Sequence, residues 1–342
     1  MGFYSGIDLS ARDNSMCVID EQQMILKEKK LRNELRLIIP ELEPYKRDLQ
    51  IVVESTFNWY WLVDGLRKAG FNVCLAHTLG LHLITGAKVK TDRRDAYSLA
   101  KLLRVNMIPK AYIYPAETRP IRDLLRRRLS LVRQRAYEYS SIRHLLMREG
   151  NLDHSRNQMK GIDEQDLEKW FKHPLIRLHA CQEVERINLY TAQIDELEER
   201  ILTEARPNKE IARLRSVPGI GPILSLTIFY EIGEISRFKT VRNLSSYCRL
   251  VPGVAQSGTV SRRGRASKQG NPYLKNAFMQ AAVTAVRCYP EVERYYENHL
   301  KTRGGKASKL VTYNIVAHKL AQAVFHILRD GGSYQKQLLF GN

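Results

Sequence analysis

The chain predicts a mixed α/β domain at its N-terminus, a helical connector and a mainly helical C-terminal domain. Three observations carry this reading. Strand-length apolar runs alternate with helical patterns over the first hundred residues. An arginine-rich helical segment and a short heptad-like seam follow, and beyond Asn208 the apolar spacing is helical almost throughout. The 342 residues suffice for domains spanning 1–150, 151–207 and 208–342.

In order, "FYSGIDLS", "SMCVIDE" and "QMILKEKKLR" read as three successive strands joined by short polar turns. "NELRLIIPELEPYK" is a poor helix interrupted by Pro40, and "LQIVVEST" is a continuous apolar run of the buried-strand kind. "NWYWLVDGLRKAG" reads as a helix closed by Gly70 and "NVCLAHT" as another strand. "TDRRDAYSLAKLLRV" reads as a helix capped by Thr91. Arg119 to Arg148 holds nine arginines and two acids among interspersed leucines, which predicts a long basic helix. A polar stretch over 150–165 reads as a linker. Ile187, Tyr190, Ile194, Leu197 and Ile201 then step by three and four, the seam of a coiled-coil hairpin or dimer stalk, or of a helix packed on its own domain. The third segment holds a hairpin-like "SVPGIGP", a cationic loop over 254–271, and long helical patterns at 272–302 and 306–329.

Lysine plus arginine total 55 against 36 acids, a formal charge of +19, while 44% of residues are hydrophobic. This describes a folded protein with a basic exterior, suited to nucleic acid first and an anionic membrane surface second. No apolar run is long enough to span a bilayer, and the N-terminus lacks a signal-peptide build. Cys17, Cys74, Cys181, Cys248 and Cys288 form no metal spacing and read as reduced thiols of a cytoplasmic protein.

Against this charge, Asp92 and Asp95 stand three apart, neighbours on one helix face. Salt bridges to Arg93 and Arg94 are one explanation; a divalent metal site is the other. Asp8 lies on the first strand, and Glu54 closes the buried run "IVVE", where an unpaired charge is expensive. Strand ends are also where ligand sites collect in α/β sheets. Four gathered carboxylates would repel, and Mg²⁺ or Mn²⁺, which favour hard oxygen ligands, would relieve that. Two such ions about 4 Å apart can clamp the oxygens of a phosphodiester in transit.

The order of these elements and acids resembles the ribonuclease-H fold in its RuvC-like form. "YSGIDLS", "VVEST" followed by aromatics, and "KTDRRDA" resemble more closely the DEDD transposases of bacterial insertion sequences, related to the Piv and MooV invertases. The resemblance implies that Asp8, Glu54, Asp92 and Asp95 are the catalytic, metal-binding acids. It also implies a bacterial, nucleoid-associated protein acting on DNA, possessing a C-terminal transposase domain, and in some members guided by a structured bridge RNA.

In the distal half, Gly219 and Gly221 supply a tight turn of the helix-hairpin-helix kind. It reads either as a phosphate-binding turn or as an ordinary helix–helix connection. In "VAQSGTVSRRGRASKQGN", Arg262, Arg263, Arg265 and Lys268 make a flexible cationic loop suited to phosphates. The resemblance makes Ser257, in a Ser-Gly pair ahead of Ser267-Lys268-Gln269-Gly270, the catalytic serine, with Ser261 as the competitor. A serine hydroxyl needs activation to attack a phosphodiester. It would form a serine-linked DNA end in an assembly implied to be a dimer to tetramer. Arg126, Arg127, Arg128, Arg133 and Arg135 on the basic helix are expected to hold nucleic-acid backbones. The rival readings are a RuvC-like nuclease using metal-activated water, an actin-like kinase and a structural DNA-binding protein.

Overall fold

The computed structural model describes residues 2–85, 92–150, 152–155, 157–205, 207–257, 260–264, 269–302, 309–335 and 339–340. At 82–85, 92, 253–257 and 260–264 it describes the backbone path alone. The chain divides into two compact units, Met1–Ala116 and Glu117–Asn342.

The first unit is a six-stranded mixed sheet. Strands β1 (Phe3–Leu9), β2 (Asp13–Ile19) and β3 (Ile25–Arg32) form an antiparallel meander. Helix α1 (Leu35–Leu42) and a 3₁₀ turn lead to β4 (Leu49–Glu54), which lies parallel to β1. Next come α2 (Tyr60–Lys68), β5 (Asn72–Ala76) parallel to β4, α3 (Thr78–Thr85), α4 (Asp92–Arg104) and a short antiparallel edge, β6 (Lys110–Ala111). Strand order is β3-β2-β1-β4-β5-β6, compatible with a ribonuclease-H-like domain. Helix α3 and β6 add to the sequence reading; two residues of β6 are too few to carry a period-2 signal. Gly70 adopts φ 85° behind α2, as the helix stop required. Thr91, the expected cap of α4, lies outside the described residues.

Alternation sends Ile7, Ile51 and Val53 to one face, where Leu62 and Leu66 of α2 cover them. Val52 and Cys17 face the other way, under α4.

The second unit is helical apart from one hairpin. Helix α5 (Arg119–Gly150) pairs antiparallel with α7 (Pro174–Glu204), after the short α6 (Glu164–Trp170). Arg128 pairs with Glu198, Arg135 bonds Thr191 at 3.0 Å, and Arg186 bonds Glu138 at 3.0 Å, which fixes the direction. Ile187, Ile194 and Ile201 of the seam are buried inside this unit, with Ile201 beside Leu125. Helix α5, grouped by sequence with the N-terminal region, thus packs on α7 and on α9 (Pro222–Ile232).

Helices α8 (Lys209–Leu214), α9, α10 (Val241–Tyr247), α11 (Pro272–Cys288), α12 (Pro290–Thr302) and α13 (Lys309–Asp330) enclose a second core, in which alanines of α11 and α13 permit close approach. The pattern read as one helix over 272–302 is two. Pro290 lacks a backbone N–H and turns Tyr289 to an extended φ of −127°. The cationic loop is likewise not irregular throughout. Residues Gly253–Ser257 (β7) and Val260–Gly264 (β8) pair as an antiparallel hairpin. Among the described residues no helix is long and apolar enough to cross a membrane.

Candidate functional site

The expected acids collect at one edge of the first sheet. Parallel pairing of β1 with β4 sets Ile7 against Val53. One residue on, Asp8 and Glu54 are side by side at the strand ends, both half-buried. Alternation turns both toward the α4 face. Helix α4 lies very close there, because β1 carries glycine at position 6. A Cβ on Gly6 would meet the Ala96 carbonyl oxygen at 2.1 Å and Leu99 Cβ at 2.7 Å. The helix runs antiparallel to β1, since Arg104 at its far end donates to the Glu21 carbonyl at 3.1 Å, beyond the opposite end of that strand. The first turn of α4 therefore lies toward Asp8 and Glu54. Asp95 precedes by one turn Leu99, which packs with Val52 of β4. Position 92 precedes Ala96 by one turn, and only its backbone is described.

Of the acid pair, only Asp95 has a described side chain, and it makes no ion pair among the described residues. Arg93 comes within 4.0 Å of Glu28 on β3. The side chains of Glu54 and Asp95 have neither hydrogen bond nor ion pair among the described residues, although the chain carries +19. Opposite Asp8 on β2 sits Ser15, 3% exposed, whose Oγ has no hydrogen-bond partner among the described residues. Serine gives no sequence signal for such a position, so it escaped the sequence reading. Half-buried Glu54 and Asp95, unpaired among the described residues, lie on the side of Asp8 and of a buried hydroxyl without a described partner; these hard oxygen donors fit a divalent ion of the Mg²⁺ or Mn²⁺ type. Among the described residues no three His, Cys, Asp or Glu side chains form a metal-holding group; the acid at 92 would have to complete one.

In the second unit, Ser257 ends β7 with its backbone paired to Val260, at the two-residue tip of the hairpin. Ser261, Arg262 and Arg263 lie on β8. Gly258, Arg265, Ser267 and Lys268 lie outside the described residues. Gly219, at φ 77°, would drive a Cβ to 2.1 Å from the Ala281 carbonyl of α11, so this glycine serves helix packing. Gly221 is exposed, and a Cβ there would meet open space at the start of α9.

The arginines of α5 divide. Arg127 and Arg133 are exposed, and their guanidinium groups have no hydrogen bond or ion pair among the described residues. Arg126, Arg128 and Arg135 face the unit itself. Arg126 lies 4.2 Å from the ring centroid of Tyr273 and, with Arg122 at 3.2 Å, pairs with Glu231, which is wholly buried. Asn271 donates to Glu231 at 2.7 Å while its Oδ1 caps α11 through the amides of Tyr273 and Leu274. Burial pushes the Glu231 carboxyl up. The hydrogen bond from Arg126, the charges of both arginines and the Asn271 amide outweigh that and hold it below the ordinary carboxylate range. Asn271 also marks the return of the chain from the serine hairpin: its amide donates to the Tyr247 carbonyl at 2.6 Å, and Arg249 Nε bonds the Gln269 and Gly270 carbonyls.

Two family models match this chain in order. One, described as a transposase of the DEDD IS110 type, covers residues 5–149. The other, described as the transposase IS116/IS110/IS902 family, covers 211–297. The transposase for insertion sequence element IS1111A of Coxiella burnetii is 29% identical over 203 residues, 58% of this chain and 55% of the relative. A probable family 20 transposase of Pseudomonas aeruginosa is 25% identical over 293 residues, 83% of this chain and 84% of the relative. The pilin gene-inverting protein of Moraxella bovis is 22% identical over 304 residues, 85% and 83%. The chain spans 49% of the length of a further relative, from Sinorhizobium fredii.

Proposed function

We propose that the chain, matched over 5–149 and 211–297 by the two transposase models, is an IS110/IS116-type transposase that cuts and rejoins DNA strands at the ends of a mobile element by phosphoryl transfer. The observation supporting this most is the strand register that sets Asp8 beside Glu54 under the first turn of α4, with Glu54 and Asp95 unneutralised by any described cation. Asp8, Glu54, Asp92 and Asp95 would hold Mg²⁺ or Mn²⁺, and a bound ion supplies neutralisation of charge on phosphate oxygens.

Ser257 is the nucleophile. Its Oγ forms a bond to phosphorus and gives up its proton, while the phosphodiester bond to the leaving DNA hydroxyl breaks and that oxygen takes a proton. The serine ester conserves the energy of the broken bond, so a second DNA hydroxyl can reverse the step onto a new strand without a nucleoside triphosphate. Arg262 and Arg263 follow Ser257 on the second strand of its hairpin and are suited to charge developing on the phosphate. Arg127, Arg133, Arg265 and Lys268 hold the DNA backbone, or that of a structured guide RNA. Exchange between two sites calls for a dimer to tetramer. A relative named for inverting a pilin gene favours exchange over simple cutting.

The test is an SDS-resistant protein–DNA adduct, formed with Mg²⁺, element-junction DNA and RNA from the same locus, alongside recombination on a plasmid reporter. Ser257→Ala should retain DNA binding and lose both adduct and recombination, while Ser261→Ala keeps them. Cleavage without an adduct would instead favour the hydrolytic nuclease. Normal recombination by Ser257→Ala would remove the serine mechanism.

A further inference from the structure

We propose that the strand-end loops of the N-terminal sheet form a cradle for one unpaired nucleotide, Phe57 stacking on its base and Arg12 meeting its phosphate. This rests on the reading that the adjacent acidic edge processes DNA. Phe57 follows Glu54 by three residues and is 85% exposed. Its loop is held on both sides. Ser55 donates its amide to the Ala76 carbonyl and accepts from Thr78 Oγ1 at 3.0 Å. Thr56 Oγ1 donates to Asn58 Oδ1 at 2.9 Å, and Asn58 Nδ2 donates to the Ser10 carbonyl at 3.1 Å.

That carbonyl also accepts from Asn33 Nδ2 at 3.0 Å, and the Asn33 amide donates to the Arg12 carbonyl at 3.1 Å. Ser10, two residues past Asp8, thus ties three loops into one rim beside the acids. Trp59 occupies the apolar site this loop can reach, at 8% exposure, leaving the phenyl ring outward on a fixed backbone. Arg12 is exposed, and its guanidinium has no hydrogen bond or ion pair among the described residues. An outward aromatic ring on a held loop, with an exposed arginine on the loop tied to it through Ser10 and Asn33, suits a nucleotide on a polycationic chain; the base must be unpaired, because stacking partners cover both faces inside a duplex.

The experiment uses the full chain in EDTA, with a duplex bearing an unpaired tail that contains 2-aminopurine and a fully paired control. Wild-type protein should quench the tail probe on binding. Phe57→Ala should lose the quench and weaken tail binding on the order of 10-fold with an unchanged melting temperature. Phe57→Trp should restore both. Arg12→Ala should weaken binding of the tailed DNA and reduce its salt slope by about one, while the paired control is little changed. Unchanged quench and affinity in Phe57→Ala overturns the cradle, as does a change in oligomeric state in place of a change in binding. Because binding is read without metal, absent strand transfer by a wild-type protein that still quenches would fault the proposed function alone. Strand transfer by wild type together with an unaltered Phe57→Ala would fault the cradle alone.

Discussion

Replacing Glu231 by glutamine should be among the most damaging single changes outside the acidic edge. Glu231 is 0% exposed and receives Arg122 Nε at 3.2 Å, Arg126 Nη2 at 2.9 Å and Asn271 Nδ2 at 2.7 Å. Neutralising it removes the negative charge shared by two guanidinium groups, one of them 8% exposed at its side chain. Removing one member of a buried ion pair costs about 3–5 kcal/mol. For a unit of this size that is a fall of about 6–20 °C in melting temperature. Asn271→Ala loses a charge-assisted hydrogen bond, about 1.5–3 kcal/mol, and a helix cap, about 1 kcal/mol, and should fall just short of Glu231→Gln. Because they share a partner, the double variant should lose less than the sum. The pH dependence has a definite sign. A carboxyl held below its ordinary 4.5 contributes stability that is whole above that pH and disappears as pH falls through the lower folded value. Calorimetry of the full chain should show wild type losing melting temperature below pH 4.5 with a steepness that Glu231→Gln lacks. A Glu231→Gln protein within about 1 kcal/mol of wild type would refute the reasoning, since surface-grade ion pairs are worth no more.

Gly6→Ala should destabilise the first unit by about 1–3 kcal/mol by pushing α4 off β1, and should reduce DNA strand transfer further than that loss of stability explains, because α4 carries Asp92 and Asp95. Arg127→Ala with Arg133→Ala should lower DNA affinity and the salt slope by about two without moving the melting temperature, whereas Arg126→Ala should destabilise the protein. Burial pushes the Cys17 thiol up to about 11 and the Cys248 thiol higher still, so maleimide at neutral pH should label exposed Cys288 and spare both until the chain unfolds.

Five strands of the first sheet could be read from the sequence because each announces itself locally, which the two-residue β6 does not. "IVVE" is an apolar run closed by an acid, which put Glu54 at a strand end, and "SGIDLS" placed Asp8 on the first strand. The break before Pro290 was equally local and was masked by the strong helical periodicity on either side. Other features depend on residues far apart in sequence. Nothing near Arg126 tells that its charge is taken by Glu231, 105 residues away. The pairing of 253–257 with 260–264 was hidden because arginine, serine and glycine carry weak strand preference. Gly6 looked like part of a motif, while its spatial role, admitting α4, emerges only once the helix lies over the sheet.

Metal-assisted strand transfer requires the acidic edge of the first sheet to be a cation site. Crystals of the full chain soaked in Mn²⁺ and measured at the manganese absorption edge test this directly. The predicted result is anomalous density enclosed by Asp8, Glu54, Asp92 and Asp95, and gone in Asp8→Asn. Saturating Mn²⁺ that leaves this edge empty, or binds there undiminished in Asp8→Asn, would contradict it.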